Sequence, residues 1–99
     1  MAEKEIVWSK LAQEELANIL DFYALQNGNA NYSLKLLDEI EDLLETLSKS
    51  EFIGRLARNK VTRLIPMDVY LIFYEINYDR IEIVSFWDNR QNLTKRKVK

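Results

Sequence analysis

The sequence contains no histidine and no cysteine, and it has only two glycines and one proline. Without histidine, the usual general base near neutral pH and the usual imidazole metal ligand are both missing. This absence excludes a Ser-His-Asp hydrolase, a Cys-His nucleophile and an ordinary zinc site. The absence of cysteine excludes disulfides and thiolate metal sites, and it is typical of a reducing compartment. The sequence therefore predicts neither a metal site nor a cofactor.

Long apolar segments are also absent. No stretch approaches the roughly 18 apolar residues of a membrane span, and no apolar run follows a basic start as in a signal peptide. We therefore expect a cytoplasmic protein without a membrane partner. A chain of 99 residues, with 47% hydrophobic and 30% charged residues, is typical of one globular domain, which we place at 1–99.

The charges are unevenly distributed along the chain. Residues 1–51 contain four lysines and eleven acidic residues, a net charge of −7, whereas residues 52–99 contain ten Lys or Arg and five acidic residues, a net charge of +5. Four of these basic residues lie in the C-terminal tail, namely Lys95, Arg96, Lys97 and Lys99. The asymmetry favours one anion-binding surface built from the second half of the chain.

The hydrophobic periodicity of the first half indicates one strand and two helices. A short apolar run at 5–8 predicts the strand, and Ser9 is placed to cap the helix that follows. Apolar residues recur at helical spacing over 10–26 and 31–47, and the turn at 27–29 contains the glycine of a left-handed C-cap. Acidic residues on the outer side of the second helix are interpreted as a solvent face rather than a metal or acid–base site: Asp38, Glu41, Asp42 and Glu45.

The second half of the chain has the two-residue period of strands. Runs at 61–66, 69–76 and 80–87 predict three strands, and a two-residue turn at 78–79 joins the last two. Pro66 cannot donate a ladder hydrogen bond, so it belongs at a strand end or on an edge. The predicted fold is α+β, in the order β-α-α-β-β-β, with a helical hairpin packed on a mostly antiparallel four-stranded sheet.

Two arginines are the candidate catalytic residues. Arg63 alternates in phase with apolar neighbours in the predicted second strand, and Arg90 follows the last strand. If the last strand is central, both guanidinium groups point into one concave face, where they would hold a phosphate or a carboxylate bidentately. A second interpretation pairs Arg90 with Asp88 and places Trp87 in the core. The sequence leaves both interpretations open.

Further basic and aromatic residues are candidates for binding a nucleic acid or another target. Arg55, Arg58 and Lys60 lie just before or at the start of the predicted second strand, and Tyr70 and Trp87 are candidates for stacking on a base. Arginines could supply the positive charge that RNA cleavage through the 2′-hydroxyl requires. No neighbouring residue is an obvious proton acceptor, which weakens the catalytic hypothesis.

The order of elements and several segments together resemble the RelE/ParE family of toxins. The segments are 6–9 with the helix after them, 70–76, 79–83 and 86–91, and the similarity covers about residues 6–92. The resemblance implies a small cytosolic toxin of a bacterial type II toxin–antitoxin module, kept inactive by an antitoxin encoded beside it. The antitoxin would wrap over the sheet and the helices, and the assembly would be a homodimer or a heterotetramer with the antitoxin.

The family has two known kinds of target. RelE-like members cleave mRNA in the ribosomal A site with basic residues on the sheet, whereas ParE-like members inhibit DNA gyrase and are not nucleases. Arg90 falls where RelE-like toxins keep an arginine, and Arg63 lies close to their basic second strand. Leu71 stands where the ribonucleases have an arginine, and Thr62 and Leu64 stand in the likely places of their lysines.

These departures favour a ParE-like toxin that inhibits gyrase or another essential protein. The alternatives are a ribosome-dependent mRNA endonuclease that uses the two arginines, and a degenerate toxin that retains only antitoxin binding. Eleven aromatic rings are also more than a core of this size readily buries. We therefore expect an exposed groove between the first helix and the sheet, which binds the antitoxin.

Overall fold

A computed structural model describes residues 4–90, so the basic C-terminal tail lies outside the described part of the chain. Its elements are β1 Glu5–Trp8, α1 Lys10–Asn27, α2 Asn31–Lys49, β2 Arg55–Leu56, β3 Thr62–Met67, β4 Tyr70–Ile76 and β5 Arg80–Asp88. Neither helix within residues 4–90 has both the length and the apolar content of a membrane span.

The strands form one mixed sheet in the order β1-β5-β4-β3-β2. β1 pairs in parallel with β5, whereas the other three pairs of neighbours are antiparallel. The predicted α+β fold with a helical hairpin on a mostly antiparallel sheet is confirmed. The predicted count of four strands was wrong, because the sheet has five strands within residues 4–90. The additional strand contains only Arg55 and Leu56, too few residues for a two-residue period to be visible in the sequence.

The local signals in the sequence correspond to real caps and turns. Ser9 Oγ accepts a hydrogen bond from the backbone N–H of Ala12 at 3.0 Å, so Ser9 caps α1 as predicted. Gly28 ends α1 with a φ of 74°, in the left-handed region that favours glycine. The predicted two-residue turn between β4 and β5 is closed by the N–H of Asn77, which donates to the carbonyl of Arg80 at 2.8 Å.

Pro66 lies within β3 at a place where its missing N–H costs no ladder bond. It is opposite Leu71 of β4, whereas on the other side β2 pairs only with Arg63 and Leu64. The edge of β3 at Pro66 therefore has no partner strand among residues 4–90, and the edge position predicted for the proline is confirmed.

α2 separates a buried side from an acidic one, as its sequence predicts. Leu36, Ile40 and Leu47 are buried. The four acidic residues that were assigned to a solvent face are all exposed: Asp38, Glu41, Asp42 and Glu45. Ser33 is buried as well, and its Oγ donates to the carbonyl of Leu20 at 2.8 Å, which joins the two helices of the hairpin.

The core lies between the helical hairpin and one side of the sheet. Tyr70, Ile72 and Tyr74 alternate along β4 on this side and are 1% exposed or less, as are Ile81 and Ile83 of β5. Each side chain of this size stabilises the fold by about 1.5–3 kcal/mol on full burial. This packing fixes the positions of the β4 and β5 residues that form the site.

Candidate functional site

Arg90 is held at the end of β5 by the carboxylate of Asp88. Asp88 Oδ1 accepts hydrogen bonds from the backbone N–H of Arg90 at 2.9 Å and from its Nε at 3.1 Å. Asp88 Oδ2 accepts a third hydrogen bond, from Nη2 of Arg90, at 3.0 Å. The interpretation that pairs Arg90 with Asp88 is therefore confirmed. Because the carboxylate compensates the charge of the guanidinium, Arg90 has less to offer a phosphate.

Two tyrosines contact the guanidinium of Arg90, and a third tyrosine contacts both of them. Nη2 of Arg90 donates to Tyr70 Oη at 3.4 Å and also to Tyr23 Oη. The hydroxyl groups of Tyr32 and Tyr70 are hydrogen-bonded to each other at 2.7 Å. We call Arg90, Asp88 and these tyrosines the arginine–tyrosine cluster. Since α1, α2, β4 and β5 all contribute residues, the cluster exists only in the folded protein.

Two groups of this cluster, Tyr70 and Arg90, have pKa values above their ordinary values. Burial raises the pKa of Tyr70 far above its ordinary value of 10.0, and the hydrogen bond with Tyr32 raises it further. The hydrogen bond to Asp88 raises the pKa of Arg90. Tyr70 therefore keeps its proton and Arg90 its charge at neutral pH, so neither group has the pKa that suits general acid–base catalysis.

An open groove of about 590 Å³ lies between α1 and β5 beside the cluster. Glu15, Asp88 and Arg90 contribute the charged part of its lining. Its apolar part consists of Ile19, Phe22, Tyr23, Phe86 and Trp87. Phe22 remains 55% exposed. The groove predicted between the first helix and the sheet is therefore present, whereas its use by an antitoxin stays a prediction.

Glu15 also lines the groove, and the sequence analysis missed it. Its Oε1 accepts hydrogen bonds from Ser85 Oγ at 2.8 Å and from the backbone N–H of Phe86 at 2.9 Å. β5 has a bulge at Val84 next to these donors, where its register against β4 shifts. Glu15 thereby connects α1 to β5 by hydrogen bonds next to the bulge. No local signal marks this contact, because the bonded residues are 70 and 71 positions apart.

Arg63 belongs to a second cluster, at the connection between α2 and β2. Its Nη1 donates to the carbonyl of Gly54 at 2.7 Å, and its guanidinium carbon lies 5.0 Å from the centre of the Phe52 ring. Tyr74 Oη accepts from the N–H of Gly54 at 2.9 Å and donates to the carbonyl of Glu51 at 2.7 Å. Burial raises the pKa of Tyr74. Arg63 and Tyr74 therefore hold this connection by its backbone.

The structure does not bring Arg63 and Arg90 together. Arg90 contacts Tyr70, whereas Arg63 lies opposite Tyr74 in the sheet. The two tyrosines are four residues apart on β4, which corresponds to about 13 Å along a strand. The two arginines share no hydrogen-bond partner within residues 4–90, so they do not converge on one phosphate as the first of the two interpretations of the sequence required. Their assignment as catalytic residues stays a prediction.

A family model described as the ParE toxin of the type II toxin–antitoxin system, parDE, matches residues 6–93. This match spans most of the sequence. The chain belongs to the ParE toxin family. This membership confirms the expected RelE/ParE resemblance and identifies a ParE-like type II toxin. No curated protein matches the sequence significantly.

The ParE-like fold is also seen in a solved structure described as the chromosomal ParDE TA system from P. aeruginosa. One chain of that structure matches with a TM-score of 0.73 and 18% sequence identity, covering 87% of this chain and 96% of the other. At this identity the likeness shows the fold alone.

The candidate target-binding residues of this ParE-like toxin differ in exposure. Arg55, Arg58 and Lys60 are exposed in β2 and the turn after it. Tyr70 is only 1% exposed, so its ring face is not available for stacking on a base. Trp87 is half-buried and contributes to the groove between α1 and β5.

The side of the sheet away from the helices carries two carboxylates that face each other near one end of β4 and β5. Glu75 of β4 lies directly opposite Glu82 of β5. Glu75 Oε2 accepts a hydrogen bond from Thr62 Oγ1 at 2.9 Å. Like charges that face each other across strands repel, and they repel an approaching phosphate in the same way.

Proposed function

We propose that this ParE family toxin inhibits a protein target, DNA gyrase by analogy with its family, and that a cognate antitoxin neutralises it. The family match over residues 6–93 is the observation that carries this proposal. ParE-like toxins inhibit gyrase without cleaving RNA, so this activity needs a binding surface and no catalytic residues of its own.

The positions of the two candidate catalytic arginines support inhibition by binding rather than RNA cleavage. Arg90 is neutralised by Asp88, and Arg63 donates to the carbonyl of Gly54. Cleavage of RNA requires positive charge directed at the transition state of the phosphate. The guanidinium groups of Arg63 and Arg90 are already hydrogen-bonded in two separate clusters, so they supply little of this positive charge.

The electrostatics of the uncovered side of the sheet support the same proposal. Leu71 stands on this side at the position where RelE-like ribonucleases have an arginine, and Glu75 and Glu82 add two negative charges. An RNA backbone bound there would meet repulsion rather than neutralisation. A protein target requires no such neutralisation.

The groove between α1 and β5 is the surface that we propose for the antitoxin. Its apolar lining includes the half-exposed ring of Phe22. An amphipathic segment that lays apolar side chains into such a groove gains the burial that the free toxin lacks. The stoichiometry, a homodimer or a heterotetramer with the antitoxin, stays a prediction that light scattering of the purified complex would decide.

Two measurements test the proposed target. Induction of the toxin in bacteria is expected to stop growth, with filamentation and DNA damage, while transcripts remain intact. The purified toxin is expected to inhibit DNA supercoiling by gyrase, and co-expression of the antitoxin is expected to restore growth. Arg90→Ala should have little effect on supercoiling inhibition beyond any loss of stability, with Arg80→Ala as the control for removing an arginine.

Other outcomes would contradict the proposal in distinct ways. Transcripts cut at translated codons, with cutting abolished by Arg90→Ala, would identify a ribosome-dependent endonuclease. Normal growth on induction, with antitoxin binding retained, would identify a degenerate toxin.

A further inference from the structure

The edge of the sheet farthest from β1 and β5 carries a second exposed apolar surface. Phe52 is 64% exposed, Ile53 47%, Leu56 43% and Val61 60%. We call these four residues the edge patch. They lie around β2 and the start of β3, whereas the groove proposed for the antitoxin lies between α1 and β5. Three strand spacings separate β2 from β5, which amounts to about 14 Å.

Arg63 lies against two of these residues. The guanidinium carbon of Arg63 lies 5.0 Å from the centre of the Phe52 ring, and Leu56 pairs with Arg63 across the sheet. Val61 is the residue immediately before β3, two positions from Arg63 along the chain. Because Ile53 follows Phe52 directly and Val61 directly precedes β3, the four exposed side chains are grouped at one edge of the sheet rather than scattered singly over the surface.

The backbone around the patch is fixed before any partner binds. The N–H of Gly54 donates to Tyr74 Oη at 2.9 Å, and its carbonyl accepts from Arg63 at 2.7 Å. In the next turn, Asn59 Oδ1 accepts from the N–H groups of Val61 and of the residue after it, each at 2.9 Å. A surface that is already ordered loses less conformational entropy on binding.

The cations beside the patch have no anionic partner in the described part of the protein. Arg55, Arg58 and Lys60 are exposed and form no ion pair within residues 4–90. In contrast, Arg80 and Arg90 each pair with a carboxylate. Three uncompensated positive charges around an apolar surface complement a partner that is acidic and also carries apolar side chains.

The apolar half of this surface favours a protein over a nucleic acid. A phosphate backbone would use the three cations but would leave Phe52, Leu56 and Val61 without apolar partners. We propose that the edge patch, with Arg55 and Arg58 beside it, docks an acidic segment of the target protein that also carries apolar side chains. This inference rests on the proposed function, in which the toxin acts by binding gyrase, and it leaves the groove at α1 to the antitoxin.

A charge-reversal experiment tests this surface against a matched control. The double variant Arg55→Glu/Arg58→Glu changes the net charge by −4, as does the control Lys10→Glu/Lys35→Glu at exposed positions on the helices. The first variant is expected to weaken gyrase inhibition by at least about tenfold, because like charges would then face each other across the interface. The control is expected to inhibit as the wild type does, and all proteins are expected to bind the antitoxin equally.

A second measurement needs neither gyrase nor the antitoxin. A short synthetic peptide in which glutamate alternates with leucine is titrated into the 15N-labelled toxin. We expect amide shifts confined to residues 52–61, which weaken as salt is added and are lost in Arg55→Glu/Arg58→Glu. Absence of these shifts in the wild type would overturn the assignment. So would stronger shifts of the same amides with a single-stranded oligonucleotide, or a wild-type dimer that the same variant dissociates.

The two measurements separate failure of this inference from failure of the proposed function. Full gyrase inhibition by Arg55→Glu/Arg58→Glu would overturn the docking surface and leave the proposed function intact. A wild-type toxin without effect on gyrase would overturn the proposed function. The peptide titration would then still decide whether the edge patch binds acidic, apolar protein segments.

Discussion

Arg90 and Asp88 are joined by three hydrogen bonds, all accepted by one carboxylate that is only 6% exposed. The two residues are two positions apart at the end of β5, so the contact is local. The contact nevertheless affects distant parts of the chain, because Asp88 directs the guanidinium of Arg90 towards Tyr23 of α1 and Tyr70 of β4. Asp88 is therefore a positioning residue for one end of the groove.

Asp88→Asn is expected to destabilise the protein by about 1–2 kcal/mol. The substitution removes the negative charge that accepts the hydrogen bonds of Arg90. The Arg90 side chain is 46% exposed, so solvent screens part of this interaction and limits the loss. Asp68→Asn is the control, because Asp68 is exposed and its φ of 57° is tolerated by asparagine. Urea unfolding of both variants measures the difference. Equal stability of the two variants would contradict the anchoring role of Asp88.

The stability of the protein is expected to fall as the pH rises above about 10. Burial raises the pKa of both Tyr70 and Tyr74 from 10.0, so above pH 10 the unfolded chain releases protons that the folded protein retains. Tyr70 then lowers the free energy of unfolding by up to about 1.4 kcal/mol per pH unit, Tyr74 acts in the same direction, and neither contributes a slope well below pH 10.

Urea unfolding between pH 9 and 11.5 measures this slope. Tyr70→Phe is expected to remove the contribution of one tyrosine, and Tyr78→Phe, at a ring that is 98% exposed, is the control for removing a hydroxyl. An identical slope in the wild type and Tyr70→Phe would contradict the prediction.

Gly54→Ala is expected to destabilise the protein by about 1–3 kcal/mol, because the core is overpacked. A Cβ at Gly54 would lie 2.6 Å from both Cε1 and Oη of Tyr74. In the Tyr74→Leu background the substitution should cost much less, since the clashing ring is gone. Gly28→Ala meets no atom within 4 Å and is strained only by its φ of 74°, so its cost should be the same in both backgrounds. An equal cost of Gly54→Ala in the wild type and in the Tyr74→Leu background would show that the Tyr74 ring does not cause the destabilisation.

Phe22→Asp is expected to weaken antitoxin binding by on the order of tenfold or more without unfolding the toxin. The Phe22 ring is 55% exposed in the groove, so burial under an antitoxin would account for about 1.5 kcal/mol or more. Leu25→Asp lies on the same helix, at a side chain that is 83% exposed and outside the groove lining. Calorimetric titration with the antitoxin compares the two. Equal weakening by both variants would remove the groove from the interface.

The elements and the solvent-facing sides of the fold could be predicted from the sequence. Ser9 and Gly28 mark the ends of α1 by local chemistry, and the change from helical to extended periodicity separates the helices from the strands. The sequence did not predict β2, because this short strand is defined by its pairing with β3. Arg55 and Leu56 form a strand because they pair with Leu64 and Arg63 of β3, and Gly54 before them is held by Tyr74 and Arg63.

The site was only partly predictable. The sequence identified Arg63 and Arg90 as unusual cations, but it could not decide whether both arginines surround one anion or whether Arg90 pairs with Asp88. Their separation follows from the strand order, in which β4 and its tyrosines lie between them. Glu15 gave no signal at all, since its role depends on a bulge that exists only where β4 and β5 pair.

The sequence by itself determined the class of fold, the ends of the helices, the family and the uneven charge, because these depend on residue type and on spacing within one segment. Only the tertiary structure decided which arginine is neutralised, where the groove opens and which cations remain without a partner. Those properties depend on distances between segments that are far apart in the chain, and the packing of the helices on the sheet sets these distances.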